Sequence, residues 1–213
     1  MSRTRVKICG ITNSEDARAA VALGACALGF VFHPGSPRQV AAELAAELLG
    51  QVPAAVTRVG LFVDAERQET QSLVDALPLD LLQFHGDEDA AYCESFGLPY
   101  MKAVRGTSTE AIAAGAERHP QAAVILVDSS SSDKAGAFGG SGKTFDWGIL
   151  PSIKQKLVLA GGLNPGNVAD AIRQASPYAV DVSTGVEADG DKRKKDHAKL
   201  RDFFESVQAG DEA

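Results

Sequence analysis

The sequence contains only three cysteines, Cys9, Cys26 and Cys93. An odd number of cysteines with no close pairing excludes a disulfide framework and a zinc ribbon, and it is typical of a reducing compartment. Residues 1–10 run directly into a short apolar segment and lack the apolar core of a signal peptide. No apolar run approaches the ~18 residues that a membrane-spanning helix requires. We therefore expect a cytoplasmic protein with no membrane partner.

Basic residues are also in short supply. The chain has 21 lysines and arginines against 28 aspartates and glutamates, a formal net charge of -7 and a pI near 5.1. No basic stripe is available to meet a phosphate backbone, which excludes nucleic acid as a partner. Anionic small molecules remain compatible with this composition, because a few local cations outweigh a distant negative surface.

Short apolar runs recur along the chain, and most end in Gly, Asp, His or Pro, as buried parallel strands do. Eight strands at roughly 25-residue spacing, each followed by a crossover, predict an α/β protein with a single-domain (β/α)8 TIM barrel. A doubly wound open sheet is the main rival, but it usually has five or six strands. The eight runs cover residues 5–10, 27–32, 57–63, 81–86, 100–104, 123–128, 157–162 and 178–185.

Amphipathic patterns between these runs predict helices at residues 14–24, 40–50, 65–77, 167–175 and 194–208. Asn164 can cap the fourth of these helices, with Pro165 in its first turn. Whether residues 109–119 form a full fifth crossover helix stays open. The domain would cover residues 1–213, with a flexible lid around 129–145 and a frayed tail at 209–213. One face of the C-terminal helix carries Leu200, Phe203, Phe204 and Val207.

Residues 137–147, AFGGSGKTFDW, nearly satisfy the phosphate-binding loop pattern of nucleotide hydrolases. Such a loop must leave a strand directly and enter a helix directly. Here the nearest apolar run ends at Asp128, and Gly148 and Pro151 interrupt the segment after Thr144. We therefore reject nucleotide binding. The segment is either a surface loop or a Gly-hinged lid that excludes water from a bound substrate.

Barrel enzymes carry their chemistry at the carboxyl ends of the strands. Polar or small residues stand where most of the apolar runs end, which predicts an active site at that face of the barrel. These residues are Cys9, His33, Asp64, His85, Arg105, Asp128, Gly161, Gly162, Asp181 and Ser183.

The loops after strands seven and eight are the usual place for a phosphate in barrel enzymes. Gly161 and Gly162 let backbone amides approach an anion closely, and Ser183, Thr184 and Gly185 offer hydroxyl and amide donors. One Gly-Gly pair alone indicates a plain turn. Two donor-rich loops at adjacent strand positions predict a phosphorylated substrate.

Seven motifs spread over nearly the whole chain resemble those of the phosphoribosylanthranilate isomerases of tryptophan biosynthesis. They are VKICGIT, GFVFHPGSPR, LLQFHGDE, GGSGKTFDW, LAGGLNP, VDVSTGVE and KKDHAKLRDFF, in the order of that family. The resemblance implies a (β/α)8 barrel that needs no metal and no organic cofactor. It also implies an Amadori rearrangement of N-(5-phosphoribosyl)anthranilate, a phosphorylated aminosugar, to 1-(2-carboxyphenylamino)-1-deoxyribulose 5-phosphate.

The same resemblance implies roles for individual residues. Cys9 would be the base that removes the proton from C2 of the sugar, and Asp128 the acid that protonates the ring oxygen. Lys7 lies two residues before Cys9 and points to the same barrel face, where an ammonium favours the thiolate. Arg38 would contact the anthranilate carboxylate through its planar fork. Gln83 and His85 share one face of strand four and would line the pocket. Asp181 would orient Lys7 or a ring hydroxyl.

The residues alone leave other interpretations open. Cys9 can be a small core residue, Asp128 a turn aspartate, Arg38 an exposed arginine and His85 a core histidine. Two further functions compete with the isomerase: the histidine-pathway isomerase, which uses paired aspartates in a duplicated half-barrel, and a phosphosugar-binding module without turnover. The sequence shows no evident repeat of its halves and retains both proton-transfer residues. It is compatible with a monomer or a homodimer.

Overall fold

Eight parallel strands close into a barrel in chain order, and β8 pairs with β1. The computed structural model describes residues 3–106, 108–128 and 147–212. It confirms the predicted single-domain TIM barrel and rules out the open sheet. Each predicted apolar run overlaps one strand, and β5 and β7 each extend one residue beyond the run. The strands are β1 Arg5–Cys9, β2 Ala27–Val31, β3 Thr57–Phe62, β4 Leu81–Phe84, β5 Tyr100–Arg105, β6 Val124–Asp128, β7 Lys156–Ala160 and β8 Ala179–Val182.

The outer helices confirm most of the amphipathic pattern. Residues 109–119 contain a helix of nine residues, and a short helix that the sequence did not predict follows β4. Between β6 and β7 the described residues contain one 3₁₀ turn, Trp147–Ile149. The helices are α1 Ser14–Ala22, α2 Ala42–Gly50, α3 Arg67–Ala76, α4 Ala90–Glu94, α5 Thr109–Glu117, α6 Val168–Ala175 and α7 His197–Asp211.

Four of the five predicted helices begin one to three residues later than predicted, and the contacts around α6 and α7 explain two of these shifts. α6 begins at Val168, because the Asn164 side chain accepts a hydrogen bond from the Gly166 N–H at 2.8 Å and stabilises a turn that contains Pro165. Asn164 is therefore not the cap, and Pro165 is not in the first helical turn. α7 begins at His197, three residues later than predicted, because a short hairpin precedes it. The hairpin strands are β9 Glu187–Ala188 and β10 Asp191–Lys195.

Side chains alternate between the barrel interior and the layer beneath the helices. The outer layer contains the main apolar core, including Ile8, Phe30, Leu82, Ile125 and Phe203, all fully buried. From α7, Leu200 and Val207 are buried with Phe203, and Phe204 is partly buried, as the predicted face requires. Inside the barrel, a second cluster of apolar side chains fills the interior. These are Met101, Val124, Leu126, Val158, Ala160 and Ala179.

The predicted lid at 129–145 lies outside the described residues. At the other end, α7 extends to Asp211, whose carboxylate accepts hydrogen bonds from the Thr4 N–H at 2.9 Å and the Thr4 hydroxyl at 2.5 Å. No helix among residues 3–106, 108–128 and 147–212 has the length and apolar character to cross a bilayer.

Candidate active site

A cavity of about 1010 Å³ opens at the carboxyl ends of the strands. It brings candidate residues together from the ends of β1, β4, β6, β7 and β8 and from the loop after β2. Of the other polar residues at strand ends, Asp64 and Arg105 also line it. His33 does not line it, and a Cβ added to Gly35 would lie 2.8 Å from His33 Nε2. The candidates lining the cavity are Cys9, Arg38, Gln83, His85, Asp128, Gly161, Gly162, Asp181, Ser183, Thr184 and Gly185.

Cys9 is the last residue of β1 and is 7% exposed. Lys7 points inward beside it and donates a hydrogen bond to Asp181 Oδ1 across the β1–β8 junction at 2.8 Å. Burial acts to lower the pKa of Lys7, but Asp181 and Cys9 together outweigh burial, so the pKa is raised. Lys7 is therefore a firmly protonated ammonium held between a carboxylate and a sulfur.

The thiol of Cys9 experiences opposing influences. Burial raises its pKa, and the charges of Lys7 and Lys195 act against burial without cancelling it. The expectation from the sequence was that the ammonium would favour the thiolate. Lys7 acts in that direction, but burial is stronger, so the resting group is a neutral thiol.

Gly29 in β2 makes room for this pair, a role that sequence reasoning missed. A Cβ on Gly29 would lie 3.0 Å from Cys9 Sγ and 3.1 Å from Lys7 Nζ. A glycine inside a strand often marks such a close approach. Gly29 stands opposite Cys9 in the β1–β2 register, and the signal available in the sequence was a glycine inside a predicted strand.

Gln83, His85 and Asp128 form a hydrogen-bonded chain on the side of the barrel opposite Cys9. Gln83 Nε2 lies 3.1 Å from His85 Nδ1, and His85 Nε2 lies 3.1 Å from Asp128 Oδ2. Gln83 is fully buried, whereas the side chains of His85 and Asp128 are 28% and 15% exposed. Asp128 therefore faces the cavity with a histidine as its neighbour.

Arg38 is 6% exposed, so the alternative of a surface arginine is wrong. Its Nε donates to Glu187 Oε1 at 2.5 Å, and its Nη2 donates to Glu187 Oε2 at 3.1 Å and to Thr184 Oγ1 at 3.0 Å. Lys195 Nζ lies 3.4 Å from the same Glu187 Oε1 and donates to the Ser183 carbonyl at 3.2 Å. Arg38 thus reaches the cavity already paired with a carboxylate.

Glu187 and Lys195 belong to the β9–β10 hairpin and were not predicted. Burial acts to raise the pKa of Glu187, but Arg38 and Lys195 more than offset it, so the pKa is lowered. Burial lowers the pKa of Lys195, and Glu187 opposes that change. The glutamate of the VDVSTGVE motif was the only signal in the sequence for this cluster.

The loops after β7 and β8 touch each other. Gly161 and Gly162 have φ angles of 82° and 66°, in the left-handed region that glycine adopts readily. A Cβ on Gly185 would lie 2.0 Å from the carbonyl oxygen of Leu163, so only glycine fits there. The two predicted phosphate loops therefore form one continuous rim of the cavity. Among the described residues, no group of three or more His, Cys, Asp or Glu could hold a metal ion.

Comparison with known proteins gives consistent matches. Residues 6–206 match the family model described as N-(5'phosphoribosyl)anthranilate (PRA) isomerase. The chain is 52% identical to the N-(5'-phosphoribosyl)anthranilate isomerase of Pseudomonas fluorescens, over 98% of this chain and 100% of the relative.

Solved structures agree with this. The phosphoribosyl anthranilate isomerase of Thermotoga maritima superposes with a TM-score of 0.85 at 37% identity, over 96% of this chain and 98% of that one. A second isomerase structure, solved with reduced 1-(o-carboxyphenylamino)-1-deoxyribulose 5-phosphate, has a TM-score of 0.80 at 34% identity with the same coverage. The chain belongs to the N-(5'-phosphoribosyl)anthranilate isomerase family.

Proposed function

We propose that this chain catalyses the Amadori rearrangement of N-(5-phosphoribosyl)anthranilate to 1-(2-carboxyphenylamino)-1-deoxyribulose 5-phosphate. The proposal depends on one combined observation: the chain belongs to this family, and a single cavity holds Cys9, Asp128 and the glycine-rich rim. A relative binds the reduced product, a phosphorylated compound, which supports a phosphorylated substrate here.

Asp128 would protonate the furanose ring oxygen, so that the ring opens and the anilino nitrogen forms an iminium with C1. Cys9, as the thiolate, would then remove the proton from C2 and give an enolamine, which tautomerises to the ketone. One proton leaves Asp128 and one arrives at Cys9, so a proton must return from Cys9 to Asp128 through solvent before the next turnover. Each positioned transfer typically contributes about 10²–10⁴-fold to the rate.

The thiolate is the reactive form of Cys9, although the resting thiol is neutral. Lys7 stabilises that thiolate when it forms, because the ammonium is held close to the sulfur by Asp181. The acid must still carry its proton when the base has lost its own. In the reactive form of the enzyme, Asp128 would therefore be protonated and Cys9 would be a thiolate.

The remaining residues would bind the two ends of the substrate. Gly161, Gly162, Ser183, Thr184 and Gly185 would hold the phosphate at the shared rim. Arg38 would bind the anthranilate carboxylate, and Glu187 would hold the Arg38 guanidinium in position. We further propose a lid from residues 129–145, a reaction without metal or organic cofactor, a cytoplasmic location, and a monomer or homodimer as the working form.

The test follows the loss of phosphoribosylanthranilate fluorescence with purified protein. Cys9→Ala and Asp128→Asn are each expected to lower kcat by at least about 10²-fold, because each removes one proton-transfer group. Cys26→Ala and Asp170→Asn make the same chemical changes away from the cavity and should keep the wild-type rate. Near wild-type turnover in either cavity variant would overturn that residue's role. Magnesium-ATP should give no thermal shift.

A further inference from the structure

We propose that Gln83 selects the tautomer of His85 and, through His85, favours the carboxylate form of Asp128. Gln83 would be a positioning residue for the acid, and this inference rests on the proposed function. The geometry is a chain of two contacts from a fully buried amide to a carboxyl group in the cavity.

An amide nitrogen donates hydrogen bonds and does not accept them. With Gln83 Nε2 at 3.1 Å from His85 Nδ1, that ring nitrogen must be the acceptor. In a neutral imidazole the proton then resides on Nε2, which is the nitrogen facing Asp128 Oδ2. His85 therefore donates to Asp128, and an ionised carboxylate is the better acceptor.

The opposite arrangement requires a coordinated change. If Asp128 donates its own proton to His85 Nε2, then Nδ1 must carry a proton and needs an acceptor. Gln83 supplies one only by exchanging its amide nitrogen and oxygen. In the structure Gln83 Oε1 is buried with no hydrogen-bond partner among the described residues. The exchange would bury the unpaired NH₂ group there instead, which is the less tolerated of the two defects.

Gln83 thus biases the chain toward a donating His85. This state matches the enzyme just after the first proton transfer, when Asp128 has become a carboxylate beside the opened sugar. The proposed effect is to make protonated Asp128 a stronger acid, while lowering the fraction of enzyme in which Asp128 holds the proton.

Gln83→Met replaces one neutral side chain by another, so it adds or removes no charge among the groups around this chain. From neighbouring elements, Glu88 and Lys102 form a buried ion pair at 2.7 Å, and Arg105 stands opposite Asp128 in the backbone register of β5 and β6. The groups at this rim and across the barrel are Asp64, Asp87, Asp89, Arg118, His119, Arg38, Lys195, Lys7, Cys9 and Asp181. A change in Gln83→Met can therefore be attributed to the lost amide.

The first test is spectroscopic and needs no turnover. Long-range ¹H–¹⁵N correlation spectra of the wild-type protein should show His85 protonated on Nε2 and not on Nδ1, with His85→Asn giving the assignment. In Gln83→Met the two tautomers should mix, because Met is similar in length but cannot donate. Gln208→Met, an exposed site on α7, should leave His85 unchanged. A wild-type His85 protonated on Nδ1, or a tautomer unaffected by Gln83→Met, would overturn the inference.

The second test is the pH dependence of kcat/KM. An aspartate ordinarily titrates several units below a buried thiol, so the acid limb reports Asp128 and the alkaline limb reports Cys9. Losing one hydrogen bond to Nδ1 stabilises the protonated Asp128, which should move the acid limb of Gln83→Met upward by about 0.5 to 1 unit. An unmoved acid limb would overturn the link to Asp128. Absence of isomerase activity in the wild type would instead refute the proposed function and leave the tautomer result intact.

Discussion

At the scale of the residue, Cys9 shows that a sequence motif can identify a reactive group but not its protonation state. The sequence placed Lys7 on the same face as Cys9, and the structure confirms the proximity. The sign of the pKa shift could not be predicted, because it depends on how completely the barrel excludes water from the sulfur. Burial has the larger effect and raises the pKa of Cys9, while the Lys7 ammonium limits that rise.

Lys7→Met should therefore weaken the base without removing it. Loss of the ammonium raises the pKa of Cys9 further, so the thiolate is rarer at neutral pH and the alkaline limb of kcat/KM moves upward. An opposite charge within contact shifts a pKa by about 1–3 units, so kcat/KM near neutrality should fall by about 10- to 10³-fold. Lys156→Met, an exposed lysine at the start of β7, serves as the control. An alkaline limb that stays in place would show that Lys7 does not support the thiolate.

At the scale of the element, the β9–β10 hairpin marks the limit of sequence reasoning. Its second strand, DKRKK, has no apolar alternation and was predicted in part as helix. Contacts with distant segments hold it instead. Arg193 Nη1 donates to the carbonyls of Pro37 and Gln39, both at 3.0 Å, and the Lys195 N–H donates to Asp16 at 2.8 Å. A local pattern does not record partners more than 150 residues away in the chain.

Glu187→Gln should destabilise the protein, because it leaves Arg38 and Lys195 buried without their shared carboxylate. Breaking a buried ion pair on one side costs about 3–5 kcal/mol, and chemical denaturation at pH 7 should show a loss of that order. Glu187 has a folded pKa below its unfolded value, so its contribution is complete above the unfolded pKa and is lost as pH falls through the folded pKa.

The difference in stability between wild type and Glu187→Gln should therefore shrink on acidification below about pH 4. Glu205→Gln, at an exposed position on α7, provides the matched control and should change stability little at any pH. A gap between wild type and Glu187→Gln that stays constant through the acid range would contradict the assigned ionisation.

At the scale of the whole molecule, the sequence predicted the barrel and the face that carries the site. Eight apolar runs at regular spacing are sufficient for that, because strand order follows chain order in this fold. The contact between the loops after β7 and β8 could be expected in outline, since adjacent strands bring their ends together. The distance between the two loops could not be predicted, because no residue pattern encodes how closely two backbone segments approach.

Because the loops after β7 and β8 lie so close together, the phosphate rim should be sensitive to any side chain added at position 185. In Gly185→Ala the new Cβ would meet Leu163 O at 2.0 Å and Asn164 Cβ at 2.9 Å, so the two loops must separate. We expect KM to rise about tenfold or more while kcat falls much less, since phosphate binding is lost and the acid and base stay in place. Inorganic phosphate should also inhibit the variant more weakly as a competitor. Gly50→Ala, whose Cβ would meet nothing within 4 Å, should behave as wild type. A Gly185→Ala enzyme with unchanged KM and a large loss of kcat would place the phosphate elsewhere on the barrel.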